Sequence, residues 1–254
     1  MDQEVSTSTP SPVVPTVSSF MTRAANVFAS PVELYTEISA TPVQKSSWLI
    51  PYLLSVIVGA VFVFSMYSNP ELRNKMAEPG RQAIQEQVAA GTMTQEQADR
   101  AEQFMNSPFF LFTGMGGAAV MATVTTFAIP LLLWLIVKLV LKTPADYKKM
   151  LETYGISAMI SILGTIVTIL LMHAMNSMRA IPSPSILIMD SYDYHNLAHR
   201  FLSSLNIFTA WQVVVLGMGV SKISNRTAGV GISITMAVWV LLLIVATLIG
   251  WGVR

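Results

Sequence analysis

Five stretches of the chain contain no Asp, Glu, Lys or Arg: residues 46–70, 103–137, 153–178, 201–221 and 227–253. Each exceeds the ~20 residues a helix needs to cross a hydrocarbon core of roughly 30 Å, where a lone charge is costly. Without water to satisfy the backbone at that depth, such segments must be helical. The pattern predicts an all-α polytopic membrane protein, a five-helix transmembrane bundle with spans at about 48–67, 116–141, 155–175, 201–220 and 228–253. Arg254, at the end of the fifth, is placed to snorkel toward the interface.

The second window is the longest. An unbroken helix from Phe109 to Leu141 would be ~50 Å long at 1.5 Å per residue, more than one straight crossing requires. The span is therefore placed at about 116–141, with Phe109–Met115 at the interface and a kink at Pro130. One kinked span and two shorter segments both fit the pattern.

Between spans one and two the pattern changes character. Residues 68–107 mix Arg73, Lys75, Arg81 and Arg100 with Glu71, Glu78, Glu86, Glu96, Asp99 and Glu102, and Gly91 separates two helix-forming stretches. A polar helical hairpin fits, its second helix opened by the capping-box spacing Thr94-Gln95-Glu96-Gln97. Ahead of the first span, Phe20, Ala24, Val27 and Phe28 share a helical face, and Ser30-Pro31-Val32-Glu33 reads as another capping box. Leu34, Tyr35 and Ile38 continue the apolar stripe. Residues 20–45 are thus read as amphipathic helices that lie on the membrane surface or dock on the bundle's own loops. Residues 1–19, rich in Ser, Thr and Pro and without a signal-peptide pattern, are read as a disordered tail.

Composition agrees with this layout and removes several classes. Charged residues make up 11% of the chain, against roughly a quarter in soluble domains, and 53% are hydrophobic. A net charge of +1 with scattered bases offers nucleic acid no field to follow. The absence of cysteine leaves no thiolate nucleophile, disulfide or cysteine metal site.

Among the remaining chemistry, Asp190, Asp193, His195 and His199 form the strongest enzyme-like cluster, since histidines four apart share a helical face and suit zinc. A zinc hydrolase of the His-Glu-x-x-His type needs a glutamate directly after the first histidine, and Asn196 stands there. These four are therefore read as ordinary loop residues, with no catalytic group, metal or cofactor assigned. His173 is expected to bond a carbonyl. Gly116 and Gly117, with no Lys-Ser/Thr following, are assigned to close helix packing along with Gly217 and Gly219. Asn206 and Gln212 are intramembrane polar groups expected to hydrogen-bond across the bundle. The spans carry no central ionisable group, which argues against proton-coupled transport, and the sixteen methionines are read as flexible packing.

Short loops set the orientation. Lys138, Lys142, Lys148, Lys149, Lys222 and Arg226 flank two of them and should face the cytoplasm, which places the amino terminus inside.

Several segments resemble the Yip (Ypt-interacting protein) family, in its bacterial branch. They are Val27-Phe28-Ala29-Ser30-Pro31 with Trp48-Leu49-Ile50-Pro51; Gly91 through Gln97; Tyr147-Lys148-Lys149-Met150-Leu151 with Tyr154-Gly155; and Leu205 through Trp211 to Lys222. The resemblance covers about residues 20–250 and implies five spans with a cytoplasmic amino terminus, in a bacterial cytoplasmic membrane. Eukaryotic members are linked to Rab-type GTPases and membrane traffic. This chain has no match to their Asp-Leu-Tyr-Gly-Pro motif in its amino-terminal region, so GTPase binding is not carried over.

Two functional readings follow. The first is a non-enzymatic membrane scaffold or interaction protein whose partners are the bilayer, other membrane proteins or further copies of itself. The second is a transporter or channel component moving a small solute, with Pro130 and the glycines permitting broken helices.

Overall fold

The computed structural model of the chain describes residues 16–193 and 196–249. The expected tail up to residue 15, His195 and the end of the fifth span with Arg254 lie outside those residues. Every regular element among the described residues is helical.

Helix α1 (Phe20–Ala29) opens at Ser19, whose hydroxyl accepts the Thr22 N–H at 3.2 Å. Helix α2 (Pro31–Ala40) follows after Ser30 alone. The capping box expected there does not form, because Ser30 also closes α1. Its N–H donates to the Asn26 carbonyl at 2.8 Å, so it has none to offer Glu33, and its side chain makes no cap bond.

Helix α3 (Ser46–Ser68) takes in the first expected span, at 48–67. Helices α4 (Pro70–Ala89) and α5 (Gln95–Met105) form the polar hairpin, reversed at Gly91, whose φ of +71° only glycine adopts freely. Thr94 and Gln97 make the reciprocal capping bonds at 3.0 and 3.3 Å. The exposed i,i+4 pairs Glu71–Lys75 and Glu96–Arg100 lace the hairpin's surface.

Helix α6 (Pro108–Leu139) resolves the choice left by the second window. It is one continuous helix of 32 residues with Pro130 inside it, so residues 108–115 belong to the same helix as the span. Helix α7 (Tyr147–Ala174) starts eight residues before Gly155, capped by Asp146 through the Lys148 N–H at 2.9 Å. It therefore carries Lys149 and Glu152 into the bundle and leaves Lys148 exposed. A 3₁₀ turn (Pro184–Ser191) and the short helix α8 (Leu197–Ser204) lead to α9 (Ile207–Ile223), and α10 (Ala228–Ile249) completes the bundle.

The fourth span is corrected. A single helix over 201–220 does not form; α8 and α9 meet at a bend of 57°. Asn206 causes the break, because its amide oxygen takes the N–H groups of Phe208 and Thr209 at 2.9 and 3.4 Å and starts a new helix. With 17 residues, α9 alone reaches about 26 Å, short of a full hydrocarbon core. Helices α3, α6, α7 and α10 are each long and apolar enough to cross, and the bent pair makes five if counted as one span.

Helix α7 is the hub, packing against α1, α3, α6 and α9. Helices α3, α6 and α10 expose large apolar side chains at helical spacing: Leu53, Ile57, Val61 and Phe64 on α3; Val120, Val124, Leu131 and Leu135 on α6; Leu241, Val245 and Leu248 on α10. Stripes of this kind facing outward on three helices suit lipid rather than water.

Candidate functional site

Arg23 lies three residues after Phe20 and four before Val27, inside the apolar stripe of α1 rather than opposite it. When α1 docks, that stripe goes inward and Arg23 goes with it, to 1% exposure. A buried guanidinium must find anions and acceptors, and this one finds them in four residues on three segments. Its Nε and Nη2 donate to Glu37 Oε1 on α2 at 3.0 and 2.8 Å, and Nη2 also to Thr41 Oγ1 at 3.3 Å. Its Nη1 donates to Ser47 Oγ at the start of α3 at 3.0 Å and to Glu152 Oε1 on α7 at 2.7 Å. All five guanidinium N–H groups are thereby used.

The carboxylates are supported in turn. Glu152, fully buried, also accepts the Gln44 N–H at 3.0 Å and the Lys149 ammonium at 2.9 Å. Lys149 continues to the Ile38 carbonyl at 2.6 Å, at the far end of α2. Glu37 takes the N–H and hydroxyl of Ser18 at 2.9 and 2.6 Å. Burial pushes the Glu37 carboxyl up, but the hydrogen bonds from Ser18 and Arg23 and the Arg23 charge outweigh it and hold the group below its ordinary value. Two cations and two anions close a neutral junction that ties the amino-terminal helix pair to α3 and α7.

Around this junction lies the core formed by Val27, Leu34, Tyr35 and Ile38 with Ile156, Ile160 and Val215. Gly219 on α9 makes room for the Tyr35 ring and the Thr153 methyl. The Tyr35 hydroxyl is buried with no hydrogen-bond partner among the described residues, and burial pushes its phenol up.

The residues singled out from sequence separate into distinct settings. Gly217 and Gly219 are tightly packed: a methyl on Gly217 would sit 2.5 Å from Ile232 Cα. Gly116 and Gly117 face open space, with nothing within 4 Å of an added methyl. Gln212 is buried and bridges α9 to α7, donating to Ser157 Oγ at 3.3 Å and accepting from the Ser161 hydroxyl. Asn206, by contrast, spends its amide oxygen on capping its own helix. His173 Nδ1 meets the Ile169 carbonyl at 3.0 Å.

Asp190 lines a cleft of about 800 Å³ at the opposite end of the bundle, between α4 and the 175–192 connection. The Asp193 N–H donates to His199 Nδ1 at 3.0 Å, which occupies that ring nitrogen. His195 lies outside the described residues. Among the described residues no three His, Asp or Glu side chains come together as a metal set.

Arg23, Glu37 and Glu152 were not among the residues singled out, and Lys149 entered only through the orientation and the family resemblance. The available signal was a cation on the apolar face of a predicted amphipathic helix, which demands a buried anion, together with Glu152 on the last position before the third charge-free window.

The Yip1 domain model matches residues 25–249, beginning two residues after Arg23 and taking in all the later helices. No curated protein and no solved structure matches the chain significantly.

Proposed function

The chain belongs to the Yip1 domain family, and from that premise we propose that it is a non-enzymatic scaffold of a bacterial cytoplasmic membrane, assembling with other membrane proteins or with itself. The observation that carries this reading is the neutral junction around Arg23. Its donors are saturated by the protein's own groups, so it positions a helix pair at one end of the bundle and leaves no donor of Arg23 for a substrate. The exposed Gly116 and Gly117 on α6 supply a surface where another helix backbone could approach closely.

The test uses a photo-crosslinking residue at position 117 in native membranes. Crosslinks to a second membrane protein or a second copy are expected, and crosslinks to lipid alone would refute assembly through this face. A companion measurement reconstitutes the purified protein in liposomes, where no solute movement is expected. Flux abolished by Gln212→Leu would replace the scaffold with a transporter.

The amino terminus is placed in the cytoplasm. Arg23, Lys45, Lys138, Lys142, Lys148, Lys149, Lys222 and Arg226 belong to the end where α7 begins, against Glu33, Glu37, Asp146 and Glu152. At the other end, the hairpin and the 175–200 connection carry more acids than bases. Lys/Arg excess marks the cytoplasmic side. Single cysteines introduced into this cysteine-free chain give the check: position 89, in the hairpin, should label from outside the cell and position 143 should not. Labelling in the opposite sense would invert the topology.

A further inference from the structure

A cavity of about 340 Å³ opens between α2 and the α9–α10 turn, within the range of small-ligand sites. Its lining divides by chemistry. Lys222, Arg226, Asn225 and Thr227 supply polar groups, Val32 and Met218 apolar ones, and no carboxylate lines it. We propose that this cavity seats the headgroup of an anionic phospholipid, with the phosphate against the two cations and the glycerol end of the acyl chains against the apolar groups.

The backbone fixes the cationic groups before any ligand arrives. Helix α9 ends with Asn225 in the left-handed region at φ +51°, the Asn225 N–H bonding the Lys222 carbonyl at 3.3 Å and the Arg226 N–H the Ser221 carbonyl at 2.9 Å. That closure sets Lys222 and Arg226 on either side of a tight turn. Arg226 is held further by a bond from Nη2 to the Leu141 carbonyl at 3.1 Å, which takes one of its five donors and leaves the rest. Among the described residues neither cation has a carboxylate partner.

The position favours a lipid over a soluble anion. The turn joins two apolar helices at their ends, at headgroup depth for a chain that crosses the bilayer. Val32, half exposed on α2, gives the cavity an apolar flank that inorganic phosphate cannot use and a phospholipid can. Anionic headgroups gain from each Lys or Arg near the surface.

The experiment is native mass spectrometry of the detergent-solubilised full chain with phosphatidylglycerol, phosphatidylcholine or inorganic phosphate added. Phosphatidylglycerol should be retained in preference to phosphatidylcholine, and Lys222→Gln, an exposed change, should cut that preference roughly fivefold. Lys222→Gln with Arg226→Gln should cut it by about that factor again. Lys148→Gln, the same charge loss at the same end but away from the cavity, should leave it intact. Equal retention of the two lipids, an unchanged preference in the Lys222 variant, an equal loss on Lys148→Gln, or displacement of the lipid by inorganic phosphate would each overturn the proposal.

Discussion

Replacing Arg23 with alanine is expected to cost about 3–5 kcal/mol, the penalty of leaving a buried anion without its partner. Glu152 has no exposure at all and would retain only the Gln44 N–H and Lys149. The loss falls on a particular movement, since Arg23 is the group that joins α1 to α2, α3 and α7 at once. Hydrogen exchange across residues 20–40 should accelerate strongly while the spans stay protected, and the unfolding temperature in detergent should drop. Removing both charges with Arg23→Met and Glu152→Gln should cost less than the sum of the single changes, because no uncompensated ion remains. An Arg23→Ala protein with unchanged exchange in α1 and α2 would show that the junction holds nothing together.

The second large effect belongs to the α9–α10 crossing. A methyl added at Gly231 would collide with the Gly217 carbonyl oxygen and approach the Ser221 backbone nitrogen to 2.6 Å. Those obstacles are backbone, which no rotamer change can move, so Gly231→Ala must push the two helices apart. The expected cost is about 1–3 kcal/mol or more, the range for overpacking. Gly117→Ala, an identical chemical change on an open helix face, should instead stabilise the isolated protein by up to about 1 kcal/mol through helix propensity. Comparing unfolding temperatures of the two variants separates close packing from helix propensity, which favours alanine in both. Equal effects at the two positions would contradict the crossing.

Glycine at all four of positions 116, 117, 217 and 219 suggested close packing, and the sequence had no means of ranking them. Each gives the same local freedom; whether a neighbouring backbone occupies the space depends on how helices distant in sequence cross. Capping shows the same division. Thr94 and Gln97 form their box because both partners lie within one helical turn and nothing else claims them. Ser30 has the same spacing to Glu33, but α1 ends on it and takes its N–H. Asn206 has the sequence setting of an intramembrane polar group that hydrogen-bonds across the bundle, and its competing role as a cap breaks the expected span in two.

The sequence by itself determined the apolar segments, the polar hairpin with its Gly91 reversal and the helical class, because bilayer thickness and backbone satisfaction act on each segment separately. It also carried enough local likeness for the Yip1 family. Tertiary structure alone decided the partners: that Arg23 meets Glu152 across 129 positions, that Gly217 rather than Gly117 is filled, and that Lys222, Arg226 and Val32 wall one cavity. Burial charges and clashes are properties of pairs of segments. A hydropathy pattern fixes which segments leave water, but only their docking fixes what each buried group must face.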